Sequence, residues 1–297
     1  MTAPPPGHLA VVVNGSGGRA SREGDALGRR IRDAFAKHAC TVVPRIVAGA
    51  RVAEELAAAS GADCVAVGGG DGTLGHAAGQ LAESGQAMAV LPLGTLNHLS
   101  LDLGIPADLT LAADVAVNGL RETIDLGEVN GTVFVNNASI GLYARMVRDR
   151  DARRLPKWLA TIPAAWTVLG AFKLRQIVIE VEGQRRTIAT PLLFIGNNRY
   201  EISGAQRGKR VSLRDGLLSV YAVRPRSAAG LIGFALRALI GRADPMRDFL
   251  GIAEVRELTV LGEGTIPVAH DGEVTSMALP LRFRLRPAAL TVMVPAP

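Results

Sequence analysis

The sequence predicts a doubly wound α/β domain followed by a β-rich domain, and three observations predict it. Strand-like and helix-like segments alternate between Leu9 and Val117. The turn Gly68-Gly69-Gly70-Asp71-Gly72-Thr73 joins the apolar run Cys64 to Val67 to a helix-like stretch beginning at Leu74. Beyond Asp125 the segments become mainly strand-like and several alternate polar with apolar residues, as half-buried antiparallel strands do. Repeated strand–helix units imply a mostly parallel sheet with helices on both faces.

Each element follows from its own residues. Leu9 to Asn14 is a short apolar strand before the turn Gly15-Ser16-Gly17-Gly18, and Leu27, Ile31 and Phe35 mark one face of a helix between Glu23 and His38. Thr41 to Val43 reads as a second strand that Pro44 ends or marks as an edge, and Ile46-Val47 can continue it. A helix over Val52 to Ala59, a strand over Asp63 to Val67 and a helix over Thr73 to Ala82 follow. Ala87 to Leu91 is the fourth strand, Pro92-Leu93-Gly94 a turn, and Leu109 to Val117 a helix. The later strands are Val133 to Asn137, Gln176 to Val181, Arg186 to Ile195, Leu217 to Val223, Val255 to Leu261, Ile266 to His270 and Leu281 to Leu285. Helical inserts are expected near Trp158 to Leu174 and Ala228 to Ile240. The boundary falls near Leu120 to Asp125, dividing the chain into 1–122 and 123–287.

With 297 residues, 48% of them hydrophobic, the chain can bury a substantial core. Its net charge of +6 favours anionic partners: nucleic acid, an acidic membrane or a phosphorylated substrate. Aromatic residues are only 4% and no basic run is interleaved with them, so nucleic acid is the weakest of the three and is not expected. Cys40 and Cys64 sit in or beside apolar segments, which suits buried thiols in a reducing compartment. Met1 to Gly7 has neither the charged nor the apolar region of a secretory signal. The apolar stretch Leu159 to Phe172 contains Pro163 and is shorter than the about 20 residues a spanning helix needs. The expectation is a cytoplasmic protein whose membrane contact is peripheral.

Four turns hold the polar residues that could carry chemistry. In Gly69 to Thr73, glycines without Cβ let backbone N–H groups approach a polyphosphate, and the following helix N-terminus adds partial positive charge. Asp71 would repel a bare anion, so it points to a cation travelling with the phosphates, as magnesium does with ATP. A tight turn with an aspartate N-cap is the plain structural alternative. Strands of a doubly wound sheet end on one common edge, which puts Ser16 of the first turn on the same edge as Asp71. Thr95 and Asn97, after the fourth strand, can bond phosphate, ribose or base, or cap a helix; His98 reads as structural. Asp271-Gly272-Glu273 offers a carboxylate that could take a proton from an attacking hydroxyl, although the residues alone favour a surface hairpin turn.

The order and spacing of Gly69-Gly70-Asp71-Gly72-Thr73, Pro92-Leu93-Gly94-Thr95-Leu96-Asn97, Asp215-Gly216-Leu217 and Asp271-Gly272-Glu273 resemble the diacylglycerol kinase catalytic family, from about Leu9 to Val294. The first motif is shared with NAD kinases and phosphofructokinases; the four together are specific. The resemblance implies an NAD kinase/diacylglycerol kinase-like fold, in which the second domain is a β-sandwich and the strand within 288–297 returns to the first domain. It implies that Gly69, Gly70, Asp71, Gly72 and Thr73 cradle the ATP phosphates, with Asp71 catalytic beside Mg2+. It places Asn14, Ser16, Gly94, Thr95 and Asn97 in the nucleotide pocket and makes Glu273 the base toward a lipid hydroxyl. It also implies a structural Mg2+ on the Asp215 carboxylate and the carbonyls of Ser212 and Leu217. The chain departs from the family's pattern at Gly15, at Gly75-His76 and at Arg214.

Arg145, Arg148, Arg150, Arg153, Arg154 and Lys157, followed by Trp158 and Trp166, suit an anionic bilayer surface, or a solvated charged face. The expected function is therefore an ATP-dependent lipid kinase. Its rivals are a soluble-substrate kinase such as an NAD kinase, and a nucleotide-binding membrane module without catalysis. A second copy of the chain is left open as a partner.

Overall fold

The structure, a computed structural model, describes residues 8–16, 20, 24–95, 97–141, 175–200, 210, 212–223 and 249–296. The two expected helical inserts and the basic run from Arg145 to Lys157 lie outside the described residues. The chain forms two compact units, one of Met1–Leu126, Thr132–Asn136 and Arg286–Pro297, the other of Gly127–Gly131 and Asn137–Leu285.

The first unit contains β1 (Leu9–Asn14), α1 (Asp25–Ala36), β2 (Arg45–Val47), α2 (Val52–Ala58), β3 (Cys64–Gly68), α3 (Asp71–Ser84), β4 (Ala87–Leu91), the short α4 (His98–Asp102) and α5 (Leu109–Asn118). The strands pair in parallel in the order β2-β1-β3-β4. Val11 to Val13, Val65 to Val67 and Met88 to Leu91 are at most 2% exposed, which is why these strands are unbroken apolar runs. Strand order reverses at β1, with β2 on one side and β3 and β4 on the other. Right-handed crossovers then place α1 on one face and α2 and α3 on the opposite one; accordingly α1 packs on α5, and α2 on α3. Such a reversal opens a crevice at the carboxyl ends of the strands beside it, here β1 and β3.

Helix α5 begins with an N-cap: Asp108 Oδ1 accepts the N–H groups of Thr110 and Leu111 at 2.9 and 3.1 Å. Asp108→Ala should cost about 1 kcal/mol, read as a lower urea midpoint at unchanged slope.

The expected strand at Thr41 to Val43 is not formed. Pro44 has no N–H to give the ladder, so pairing with β1 starts after it, at Arg45 opposite Val12, and Val43 is left 82% exposed. A longer strand stands where the sequence placed only a boundary: β5 (Leu120–Val129), followed by β6 (Thr132–Phe134). The expected strand over Val133 to Asn137 is thereby divided between β6 and β7 (Asn137–Gly141).

The second unit holds β7, β8 (Arg175–Val181), β9 (Gln184–Thr190), β10 (Leu192–Asn197), β11 (Leu218–Val223), β12 (Phe249–Val255), β13 (Glu257–Leu261), β14 (Thr265–His270), β15 (Glu273–Ala278) and the start of β16 (Leu281–Val294). One antiparallel sheet runs β12-β11-β10-β7-β14-β15; the other pairing runs β16-β13-β8-β9. Each sheet buries an apolar face, Ile140, Leu193, Ile195, Val220 and Val268 in the first and Ile179, Leu258, Val260, Leu281 and Phe283 in the second, and strand β11 is buried throughout. These two apolar faces make a β-sandwich core.

Three boundaries differ from expectation. Pro191 divides the run Arg186 to Ile195 between β9 and β10, and Arg256 separates β12 from β13. Leu281 to Leu285 and Leu290 to Val294 are parts of one strand, β16, within which Ala288 takes φ 47° and donates its N–H to Asp125 Oδ1 at 2.8 Å. The later part of β16 pairs in parallel with β4 at Val292 and Met88, while Leu281 to Arg284 pair antiparallel with β13.

Candidate functional site

The ends of β1, β3 and β4 bring together the polar turns of the first unit. Asn14, at the end of β1, donates from Nδ2 to Thr73 Oγ1 at 2.9 Å and accepts the Ser16 N–H on Oδ1 at 2.9 Å. Ser16 Oγ in turn accepts the Gly49 N–H at 3.2 Å, and the Gly15 N–H donates to the Val47 carbonyl at 2.8 Å. One asparagine therefore couples the first turn to the opening turn of α3. Thr73→Val keeps the side-chain shape and removes that bond. It should cost about 1 kcal/mol of stability by urea titration.

Gly70, not Asp71, is the N-cap of α3, in an extended conformation with no side-chain cap. Asp71 is the first helical residue, and its Oδ1 accepts the His98 N–H at 3.0 Å, so the carboxylate ties the glycine turn to the start of α4. The turns also touch directly. A Cβ on Gly94 would lie 2.8 Å from Gly70 Cα and 3.0 Å from the Gly69 carbonyl oxygen, so only glycine fits there. A Cβ on Gly70 would meet nothing within 4 Å, which means that this stretch of backbone faces open space. Asn97 is held at φ 54° with Nδ2 donating to the Gly94 carbonyl at 3.2 Å, while its buried Oδ1 has no partner among the described residues. Thr95 is exposed beside it.

This arrangement fits a phosphate chain. The first N–H groups of α3 lack intrahelical acceptors and carry the positive end of the helix dipole. An acceptor buried without a donor costs about 1–3 kcal/mol, so Asn97 Oδ1 is a place where a ligand hydroxyl or amino group would be stabilised.

In the second unit, the strand registers place the loop 212–217, Asn137, Asp271 and Glu273 at one end of the six-stranded sheet. Asp271 and Gly272 form a two-residue turn at φ 46° and 86°, which joins β14 to β15. Asp271 is only 6% exposed; its N–H donates to the Asn137 carbonyl at 3.1 Å and its Oδ1 accepts the Asn137 N–H at 3.3 Å. It is thus the anchor that pins the hairpin to β7. Glu273 is exposed, at the first position of β15, directly opposite His270. His270 Nε2 lies 3.1 Å from Thr275 Oγ1. Burial pushes the imidazole below its ordinary pKa, and the Glu273 carboxylate acts in the opposite direction. The sequence pointed to Glu273 but to neither the anchoring role of Asp271 nor His270.

The loop expected to hold a cation is shaped by backbone bonds. Asp215 Oδ2 accepts the Arg199 N–H at 3.3 Å, Leu217 accepts the Asn198 N–H on its carbonyl at 3.0 Å, and Ser212 Oγ accepts the Arg214 N–H at 2.9 Å. The Arg199 guanidinium binds Glu254 at 2.7 and 3.0 Å. Asp215 and the two carbonyls are an all-oxygen donor set with one carboxylate, which suits a hard cation that keeps most of its water. Among the described residues no cluster of three or more His, Cys, Asp or Glu side chains could form a tighter cage. Neither cysteine is bonded, and burial raises the Cys64 thiol to about 12, so it is chemically inert.

A family described as the diacylglycerol kinase catalytic domain matches residues 8–129, and one described as the YegS C-terminal NAD kinase β-sandwich-like domain matches residues 136–294. The chain belongs to the diacylglycerol kinase catalytic family. A probable lipid kinase YegS-like from Pseudomonas aeruginosa is 34% identical over 258 residues, covering 83% of this chain and 81% of that protein. A diacylglycerol kinase from Bacillus subtilis is 29% identical over 185 residues, 60% of this chain and 61% of its own. A crystal structure of a diacylglycerol kinase from Bacillus anthracis superposes with a TM-score of 0.69 at 19% identity, over 97% of each chain, and bears on the fold alone. As a member of the diacylglycerol kinase catalytic family, the protein is a kinase of the lipid-kinase type, with the α/β and β-sandwich architecture described above. No helix among the described residues is long and apolar enough to cross a membrane.

Proposed function

We propose that the protein is an ATP-dependent lipid kinase that moves the γ-phosphate to a hydroxyl of diacylglycerol or a related lipid. The observation that carries this reading is the backbone contact of Gly94 with Gly69 and Gly70 at the strand-order reversal, beside the unpartnered Asn97 Oδ1. In this reading residues 1–122, with 288–297, bind the nucleotide and 123–287 handle the lipid. Asn14, Ser16, Gly69 to Thr73, Gly94, Thr95 and Asn97 hold ATP. Mg2+, when bound beside Asp71, would neutralise phosphate charge, and a second Mg2+ on Ser212, Asp215 and Leu217 would brace its loop.

The base is Glu273. Its carboxylate takes the proton of the acceptor hydroxyl as that oxygen attacks the γ-phosphorus in line, and ADP leaves. Exposure of Glu273 on a hairpin that Asp271 pins to β7 supports this role, because the carboxylate is accessible while its backbone is held. Basic residues from Arg145 to Lys157 support peripheral contact with an anionic membrane surface. The test is a radiolabelled-ATP assay with the total lipid extract of the source cell in one tube and NAD in another. Label in a lipid product is the expected result. Label in NADP alone would refute the lipid reading, and nucleotide and vesicle binding without any product would favour a non-catalytic module.

A further inference from the structure

His270 and Glu273 flank the two-residue turn and are register partners, so their side chains leave the same face of the hairpin. Directly opposite residues have Cβ atoms about 5 Å apart, within reach of an imidazole and a glutamate. The two are held very differently. The His270 ring is half-buried and fixed through Nε2 to Thr275, whereas no hydrogen bond to the Glu273 carboxylate is found among the described residues. If Thr275 Oγ–H donates to Nε2, the ring proton belongs on Nδ1, which has no other partner among the described residues and can donate toward β15.

We propose that His270 is a positioning residue for the Glu273 carboxylate, donating Nδ1–H to it while Nε2 accepts from Thr275. This rests on the reading of Glu273 as the base. A flexible, exposed carboxylate samples many rotamers, and a fixed donor three positions before it selects those that point along the hairpin end. The neutral ring is required, since an imidazolium has no acceptor for Thr275 and would hold the carboxylate as an ion pair of lower basicity. The surroundings favour the neutral form. From β15 the ring faces Glu273 and Thr275, from β7 its register partner is Ala138, and on β14 Val268 precedes it on the same face. Asp271, next in the chain, directs its carboxylate to the Asn137 N–H. Among the described residues Glu273 is the charged group that acts on the ring, and burial outweighs it, so the neutral imidazole persists below the ordinary histidine range.

The experiment uses the full chain, radiolabelled ATP and the source-cell lipid extract, with His270→Leu, His270→Gln and Glu273→Gln made in parallel. His270→Leu should lower kcat about tenfold with KM for ATP unchanged. His270→Gln, which keeps a donor and an acceptor but does not titrate, should restore most of kcat and remove the acid-side fall that the wild type shows as His270 protonates. Wild-type kcat and pH profile in His270→Leu, alongside an inactive Glu273→Gln, would overturn the positioning role and leave the base reading intact. Full turnover by Glu273→Gln would overturn both. Should His270→Leu not fold, His270→Gln decides alone: an acid limb identical to the wild type refutes the proposal.

Discussion

Glu273→Gln should lower lipid phosphorylation by about 10²–10⁴-fold, the usual contribution of a positioned general base, and leave ATP affinity unchanged. The amide keeps the size and the hydrogen-bonding reach of the side chain and removes only its capacity to take a proton. Glu273 is exposed and begins a strand whose backbone pairing does not depend on its side chain, so the variant should melt with the wild type. Turnover from labelled ATP and nucleotide affinity by calorimetry check the two halves separately. Wild-type turnover would remove Glu273 from the chemistry. Asp271→Ala makes an informative contrast, because the buried Asp271 carboxylate holds the Asn137 N–H. That change should reduce stability and activity together.

Gly94→Ala should weaken ATP binding at least about tenfold and destabilise the fold by about 1–3 kcal/mol. The added methyl would stand 2.8 Å from Gly70 Cα, 3.0 Å from the Gly69 carbonyl oxygen and 2.7 Å from Asn97 Oδ1. Two of these are backbone atoms that cannot rotate away, so the turns must separate. Gly70→Ala isolates the binding effect. Its φ of −86° suits any residue and its Cβ would meet nothing within 4 Å, so the fold should persist. The methyl would nevertheless occupy the open side of the turn that a phosphate must approach, and ATP affinity should fall at unchanged melting temperature. Equal ATP affinity in both alanine variants and the wild type would show that phosphates bind elsewhere.

The first unit was the more legible in the sequence because its chemistry is local. Fully buried parallel strands require unbroken apolar runs, and Val11 to Val13 and Val65 to Val67 supply them within a few residues of their turns. Asn14, Ser16, Asp71 and Asn97 could be placed on one edge before any geometry was known, since every strand of such a sheet ends there. Tertiary detail was not legible. Nothing near Asp71 announces that its carboxylate takes the His98 N–H, and nothing near Gly94 announces contact with Gly70. In the second unit polar faces hide strands: Glu273 to Ala278 alternates weakly and is not among the expected strands, and Arg186 to Ile195 reads as one strand until Pro191 is given its full weight. His270 carries no local signal, because a histidine acquires meaning only from the residue opposite it, and register is not written in either strand alone.

Strand β16 sets a schedule for making this protein. The sheet that carries the glycine turns takes a strand from residues 286–297, and Val292, which pairs with Met88, is fully buried there. A ribosome delivers β1 to β4 early, yet their last neighbour leaves the exit tunnel only after the whole second unit has been synthesised. The first unit is contiguous in space and divided in time. A fragment ending after β5 would present the open edge of β4 to water, and loss of the chain from Leu290 onward would damage a distant part of the sequence: the glycine turns that follow β3 and β4.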